Sequence, residues 1–303
     1  MALIALKIDV DTYRGTREGV PRLADLLERL GVRATFLFSL GPDHTGRAIR
    51  RVLRRGFLGK VRRTSVIEHY GVRTLLYGVL LPGPHIGRRA RAPMQDIARR
   101  GFEVGVHTWD HVRWQDGVAR ASESWTRREL VRARDQFGEV FGRAPLVHGA
   151  AGWQMNARVP ALERELGFRY ASDTRGSGPF VPLTDQAAAA PVPQLPTTLP
   201  TLDELIGRTD LQGADPVDHL LALTSAAAAR DQVFTLHAEL EGGKFLGALE
   251  RLLRAWQQRG TQLTDLATYF GTLDVRGLPR CEIVAGTVEG RSGTLALQAQ
   301  RRA

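Results

Sequence analysis

The chain predicts an α/β protein whose mostly parallel sheet is closed, or nearly closed, into a barrel. Three observations carry that expectation. Short apolar strands alternate with helical segments along almost the whole length, the pattern of βαβ units. Strand after strand gives way to a polar residue, and in parallel folds chemistry collects at the carboxyl ends of strands. No internal repeat or long low-complexity linker divides the 303 residues, so one domain with an insertion is the economical reading.

The elements follow in order. Residues 3–10 read as a buried strand running out into Asp9-Val10-Asp11, and the two-residue period of a strand puts both carboxylates on one side. A helix is expected over 20–30, with Pro21 in its first turn and Gly31 at its end. Residues 34–38 form the next strand. Residues 102–106 form a third, and His107-Thr108-Trp109-Asp110-His111 begins where it stops. Two imidazoles four residues apart fall on one face of a helical turn, close enough to share a divalent ion. A zinc-protease reading is disfavoured, because Thr108 stands where the His-Glu-x-x-His pattern needs its Glu.

A polar helix over 124–141 and a strand over 146–148 come next, then Gly149-Ala150-Ala151-Gly152-Trp153, whose small residues let backbone approach a ligand. A helix over 159–166 leads to a strand over 168–172 that ends at Asp173. The alanine- and proline-rich stretch 186–200 is expected to run over the surface or to cover a site. A helix over 216–229 precedes the strand 232–236, which terminates at His237. A helix over 244–258, a strand at 262–263, a helix over 266–270 and a polar tail, 281–303, finish the chain.

The formal charge of +10 is local. Between His44 and Arg91 twelve basic residues stand against one acid, Glu68, interleaved with Phe57, Leu58, Tyr70 and the run from Leu75 to Leu81. That run is far below the roughly 20 residues a spanning helix needs. Arginine among leucine and aromatics points to an interfacial element on anionic headgroups, with a solvated charged helix as the plainer alternative. Nothing resembles a nucleic-acid recognition module. The single Cys281 excludes an internal disulfide and suits a reducing compartment. The apolar part of the amino terminus is too short for a signal peptide or membrane span, so a cytoplasmic protein is expected.

The strand-end polar residues are Asp9, Asp11, His107, His111, Asp173 and His237. Two imidazoles and one carboxylate, with coordination positions left open, would hold a divalent metal able to acidify water. A second carboxylate can take the water's proton, and a separate imidazole can protonate a leaving nitrogen, which amide hydrolysis requires.

Asp9-Val10-Asp11, His107-Thr108-x-x-His111 and Thr235-Leu236-His237 resemble the motifs of the polysaccharide deacetylases, whose NodB-homology domain is a deformed (β/α)7-type barrel. The resemblance implies Asp9 as base, Asp11, His107 and His111 as ligands of zinc, cobalt or manganese, and His237 as acid. Ile8 to Thr12, Arg14 to Pro21, Gly41-Pro42-Asp43, Ala150 to Trp153, Ser172-Asp173, Arg175-Gly176, Thr198 to Thr201 and His237-Ala238-Glu239 look more narrowly like the 4-deoxy-4-formamido-L-arabinose-phosphoundecaprenol deformylases. That branch implies removal of formate from an undecaprenyl phosphate-linked formamido sugar, in lipid A modification and resistance to polymyxin-like cationic peptides. It also implies a peripheral position on the cytoplasmic face of the bacterial inner membrane, the basic insertion resting on lipid. The wider alternative is deacetylation of another lipid- or polymer-linked N-acyl amino sugar.

Arg14, Trp109, Trp153 and Glu239 are expected at the substrate. The family's Arg-x-Pro-x-Gly motif appears here as His148 to Gly152, without the arginine that tunes the base, and Arg175 is expected to supply that charge. Asp173 is expected to orient His237 or Arg175, or to cap a turn. His44, His69, His85 and His219 are read as surface or structural. A haloacid-dehalogenase-type phosphatase would also use the Asp9-Val10-Asp11-Thr12 strand end, but it needs a further acidic pair and leaves the histidines idle. A non-enzymatic membrane adaptor would leave ligands, base and acid unused.

Overall fold

The computed structural model describes residues 2–299 apart from 49–70, 185–189, 227–229 and positions 207, 209, 212, 214 and 292. Strand β1 (Leu3–Val10) is buried along its whole length and lies at the centre of a seven-stranded sheet. One edge of β1 pairs with β7 (Gln232–His237). The other is shared by β2 (Thr35–Ser39), along Lys7 to Val10, and β8 (Gln262–Thr264), along Leu3 to Ala5. Beyond β2 come β3 (Glu103–Thr108), β4 (Val147–His148) and β5 (Tyr170–Ala171), all parallel. Such strands are apolar on both faces because crossover helices cover one of them. Helix Val20–Arg29 turns Leu23, Leu26 and Leu27 inward, and helix Leu246–Gln258 does the same with Leu249, Leu252, Leu253 and Trp256.

The curl stops short of a regular barrel. Between β5 and β7 runs the proline-rich segment 191–201, expected to run over the surface or to cover a site, and it is buried at Val192, Gln194, Leu195 and Thr197. On the β5 side the Ala171 amide donates to Pro193 O and Ala171 O accepts from the Leu195 amide, and the amides of Thr198 and Leu199 donate to Val233 O on the β7 side. Prolines at 191, 193, 196 and 200 lack the N–H a ladder needs, so the gap is bridged by isolated bonds. That is the deformation.

The stretch read as a polar tail is folded. Strand β9 (Arg280–Cys281) pairs with β6 (Val181–Pro182), and β10 (Ile283–Gly286) pairs antiparallel with β11 (Leu295–Gln298). Leu295 and Ala296 are buried, and Arg175 exchanges backbone bonds with Ala296 and Gln298, which ties the segment to the barrel rim. Of the basic insertion, Arg50, Arg51, Arg54, Arg55, Phe57, Leu58, Lys60, Arg62, Arg63, Glu68 and Tyr70 lie outside the described residues.

Candidate active site

Strands β3, β1 and β7 end on one rim of the sheet, with β2 between β3 and β1. Asp9 stands in register with His237, the last residue of β7. His107 belongs to β3 itself, while His111 opens helix His111–Gly117, whose N-cap Asp110 accepts from the Arg113 amide. The two imidazoles therefore meet across a strand-to-helix corner, not along one helical turn as their spacing implied. The reason is that β3 runs two residues past Val106, carrying His107 on extended backbone.

Asp11 Oδ1 lies 3.2 Å from His107 Nε2 and 3.3 Å from His111 Nε2. Three ligands about 2.0 Å from a tetrahedral ion stand roughly 3.3 Å apart. Asp11 Oδ1 is also buried without a hydrogen-bond partner, so the donor set fits a divalent cation. Burial alone would raise the Asp11 carboxyl, but His111, His107 and His237 outweigh it and hold it well below the ordinary carboxylate range. Burial, with His107 and His237 beside it, holds His111 below its ordinary value against Asp11 and Asp9, favouring the neutral form a ligand requires.

Asp9 is buried between two cation-forming groups: its Oδ2 is 3.3 Å from Lys7 Nζ and its Oδ1 is 3.7 Å from His107 Nδ1. Lys7 is fully buried and donates to Ser172 O at 2.9 Å. Arg175, expected to supply the cation at Asp9, is held elsewhere: its guanidinium pairs with Glu204 and Leu199 O and lies 5.0 Å from the Trp153 ring centre. The sequence reading missed Lys7, although a lysine inside an apolar strand two residues before Asp9 was signal enough.

His237 places Nδ1 3.6 Å from Asp203 Oδ1, and its amide donates to Glu241 Oε2. Burial lowers its basicity, yet Asp203, Asp11 and Glu241 outweigh burial and Arg291, so the imidazole is held above its ordinary value. Trp153 stands edge-on to it, buried, with Nε1 donating to Thr197 Oγ1 at 3.0 Å. Its φ of 51° is the sole positive value at a non-glycine among the described residues, a strained turn following Gly152 (φ 60°).

The remaining expected residues surround this group. Glu239 Oε1 accepts from the Asp11 amide, the Thr12 amide and Thr12 Oγ1, bracing the Asp11 corner. Trp109 packs half-buried against His85, and its carbonyl accepts from Gly41. Arg14 pairs with Glu18 on the rim, where it helps line a cavity of about 140 Å³ with Arg22 and Glu239.

Asp173 does not reach His237. It is buried with His148 and Glu163, taking bonds from Ala150 N at 2.7 Å and Gln194 Nε2 at 2.7 Å. His148 Nδ1 is 2.6 Å from Glu163 Oε1 and 3.0 Å from Asp173 Oδ1, which are hydrogen-bond spacings shorter than those at Asp11. Despite burial, Asp173 and Glu163 push His148 up to about 10. Through the bond from the Ala150 amide to Asp173, this cluster clamps the loop that carries Trp153.

Carboxylates and imidazoles gathered at the strand ends of a deformed parallel barrel define an amide hydrolase. The polysaccharide deacetylase family matches residues 3–171, which include Asp9, Asp11, His107 and His111, and the chain belongs to that family. It is 33% identical, over 98% of its length and 94% of the relative, to a Shewanella sediminis protein named a probable 4-deoxy-4-formamido-L-arabinose-phosphoundecaprenol deformylase, ArnD. It is 29% identical, over 94% of its length and 98% of the relative, to a Wigglesworthia glossinidia brevipalpis protein of the same name. Among solved structures, a Mycobacterium smegmatis protein described as a polysaccharide deacetylase shares the fold at TM-score 0.66 and 19% identity, over 95% of both chains.

Proposed function

We propose that the chain removes the N-formyl group from undecaprenyl phosphate-linked 4-deoxy-4-formamido-L-arabinose, giving the 4-amino sugar lipid and formate. The product serves lipid A modification, where the added positive charge weakens binding of cationic antimicrobial peptides. The observation that carries the reading is the Asp11, His107 and His111 donor set with Asp9 and His237 flanking it. The relatives' shared name supplies the substrate.

Asp11, His107 and His111 would hold a divalent ion, zinc, cobalt or manganese, which supplies Lewis acidity to the amide carbonyl and to attacking water. Asp9 accepts the water's proton on a carboxylate kept beside the Lys7 ammonium. His237, whose Nδ1 faces Asp203, donates from Nε2 to the departing sugar nitrogen. Trp153, buried and edge-on to His237, is placed to wall the substrate pocket.

The basic insertion rests on the cytoplasmic face of the inner membrane, where the polyprenyl chain is anchored. Val72, Val79, Leu80 and Leu81 are exposed in its described part, Leu80 by 75%, and support contact with the acyl boundary. No helix among the described residues is long and apolar enough to cross a membrane, which suits a peripheral mode.

The test is formate release from the authentic lipid by purified wild type and Asp9→Asn. Formate from the wild type and at least about 100-fold less from the variant is expected. Folded wild type that frees acetate from N-acetyl sugar lipids and no formate would overturn the assignment.

A further inference from the structure

The C-terminal segment brings Arg291 to the active site. Gly290 has φ 84°, and a Cβ there would lie 2.2 Å from Glu204 O, so the turn admits only glycine. That close approach delivers Arg291 to the rim of the site. Arg291 Nε lies 3.0 Å from Glu204 Oε1 and Nη2 lies 3.1 Å from Asp203 Oδ2. Its guanidinium is 4.6 Å from the Trp153 ring centre. The other oxygen of Asp203, 3.6 Å from His237 Nδ1, also accepts from Thr201 Oγ1.

We propose that Arg291 is a positioning residue for the acid, pinning Asp203 so that its carboxylate faces His237 Nδ1 and leaves Nε2 for the substrate nitrogen. Through Arg291 the C-terminal segment then completes the active site. This rests on the reading of His237 as proton donor.

The electrostatics separate this role from simple charge supply. The charged groups facing His237 are Asp203 from helix Leu202–Leu205, Asp11 beyond β1, Glu241 from the turn after β7, and Arg291. Taken alone, the Arg291 cation disfavours a charged His237. Its benefit must therefore run through Asp203, whose carboxyl it helps hold below the ordinary range with His237 and against burial. Deleting the cation while losing the Asp203 geometry thus lowers turnover without weakening substrate binding.

The test compares full-length wild type with Arg291→Met, Arg291→Lys and Gly290→Ala, reading formate release, zinc affinity and the His237 ring ¹⁵N signals of the zinc-loaded protein. Arg291→Met and Gly290→Ala are expected to lose about 10- to 100-fold in kcat with KM within about threefold. Arg291→Lys should recover part of the loss, and zinc affinity should stay within about twofold of wild type. The ring signals should move in Arg291→Met and Gly290→Ala and much less in Arg291→Lys. Wild-type kcat in Arg291→Met, a rise in KM alone, or unmoved ring signals would each overturn the inference. A wild type that frees no formate would sink the deformylase reading, while the ring signals still decide the positioning role.

Discussion

Lys7 Nζ lies 3.3 Å from Asp9 Oδ2, both groups buried two residues apart on the strand at the centre of the sheet. A buried ion pair adds little net stability, but removing one partner strands the other charge at a cost of about 3–5 kcal/mol. Lys7→Met should therefore destabilise by about that amount, and Lys7→Met/Asp9→Asn should lose clearly less than the sum of the two singles. Denaturant unfolding of the four proteins checks it, and strict additivity would show that the two groups act independently.

Glu239 holds the Asp11 corner through three donors on one oxygen. Glu239→Ala leaves those buried donors unpaired, so a loss of about 2–4 kcal/mol and a 10- to 100-fold fall in metal affinity are expected. Glu239→Gln keeps an acceptor oxygen and should lose much less of both. Chelator competition reads the affinity, and an unchanged value in Glu239→Ala would remove Glu239 from the support of the metal corner.

The His148, Glu163 and Asp173 clamp carries a pH dependence. His148 is raised in the fold from 6.5 to about 10, chiefly by Asp173 and Glu163 against burial. A raised imidazole lends stability that is complete below the unfolded value and is lost as pH rises through the folded one. His148→Gln should thus cost about 3–5 kcal/mol at pH 6, and the gap to wild type should narrow between pH 6.5 and 10. Urea unfolding at pH 6, 8 and 10 measures this. A gap that widens with pH would reverse the assignment of charge to His148.

Local pattern announced the strands that run out at Asp9, His107 and His237, because each is an apolar run followed or broken by a polar residue at its end. The same logic placed Asp11 and His111 next to them. What escaped was long-range. Prolines 191–200 signal a loop, and only the unpaired flanks of β5 and β7 make that segment a buried seam. Asp173 shares the strand-end signature but spends both oxygens on Ala150, Gln194 and His148, partners 21 to 25 residues away in sequence. Asp203 sits in a capping box after Pro200, and Arg291 in a stretch with no periodicity; they meet beside His237 from opposite ends of a long stretch of chain. Lys7 was the exception, legible and overlooked.

We propose that Asp11, His107 and His111 form a metal centre on which amide hydrolysis depends. The most direct measurement is formate release from formamidoarabinose-phosphoundecaprenol by chelator-treated protein, resupplied with single divalent metals, alongside Asp11→Asn. Activity should vanish on chelation, return with zinc, cobalt or manganese, and stay absent in the variant at stoichiometric metal. Full formate release by folded, metal-free protein, or by Asp11→Asn, would contradict it.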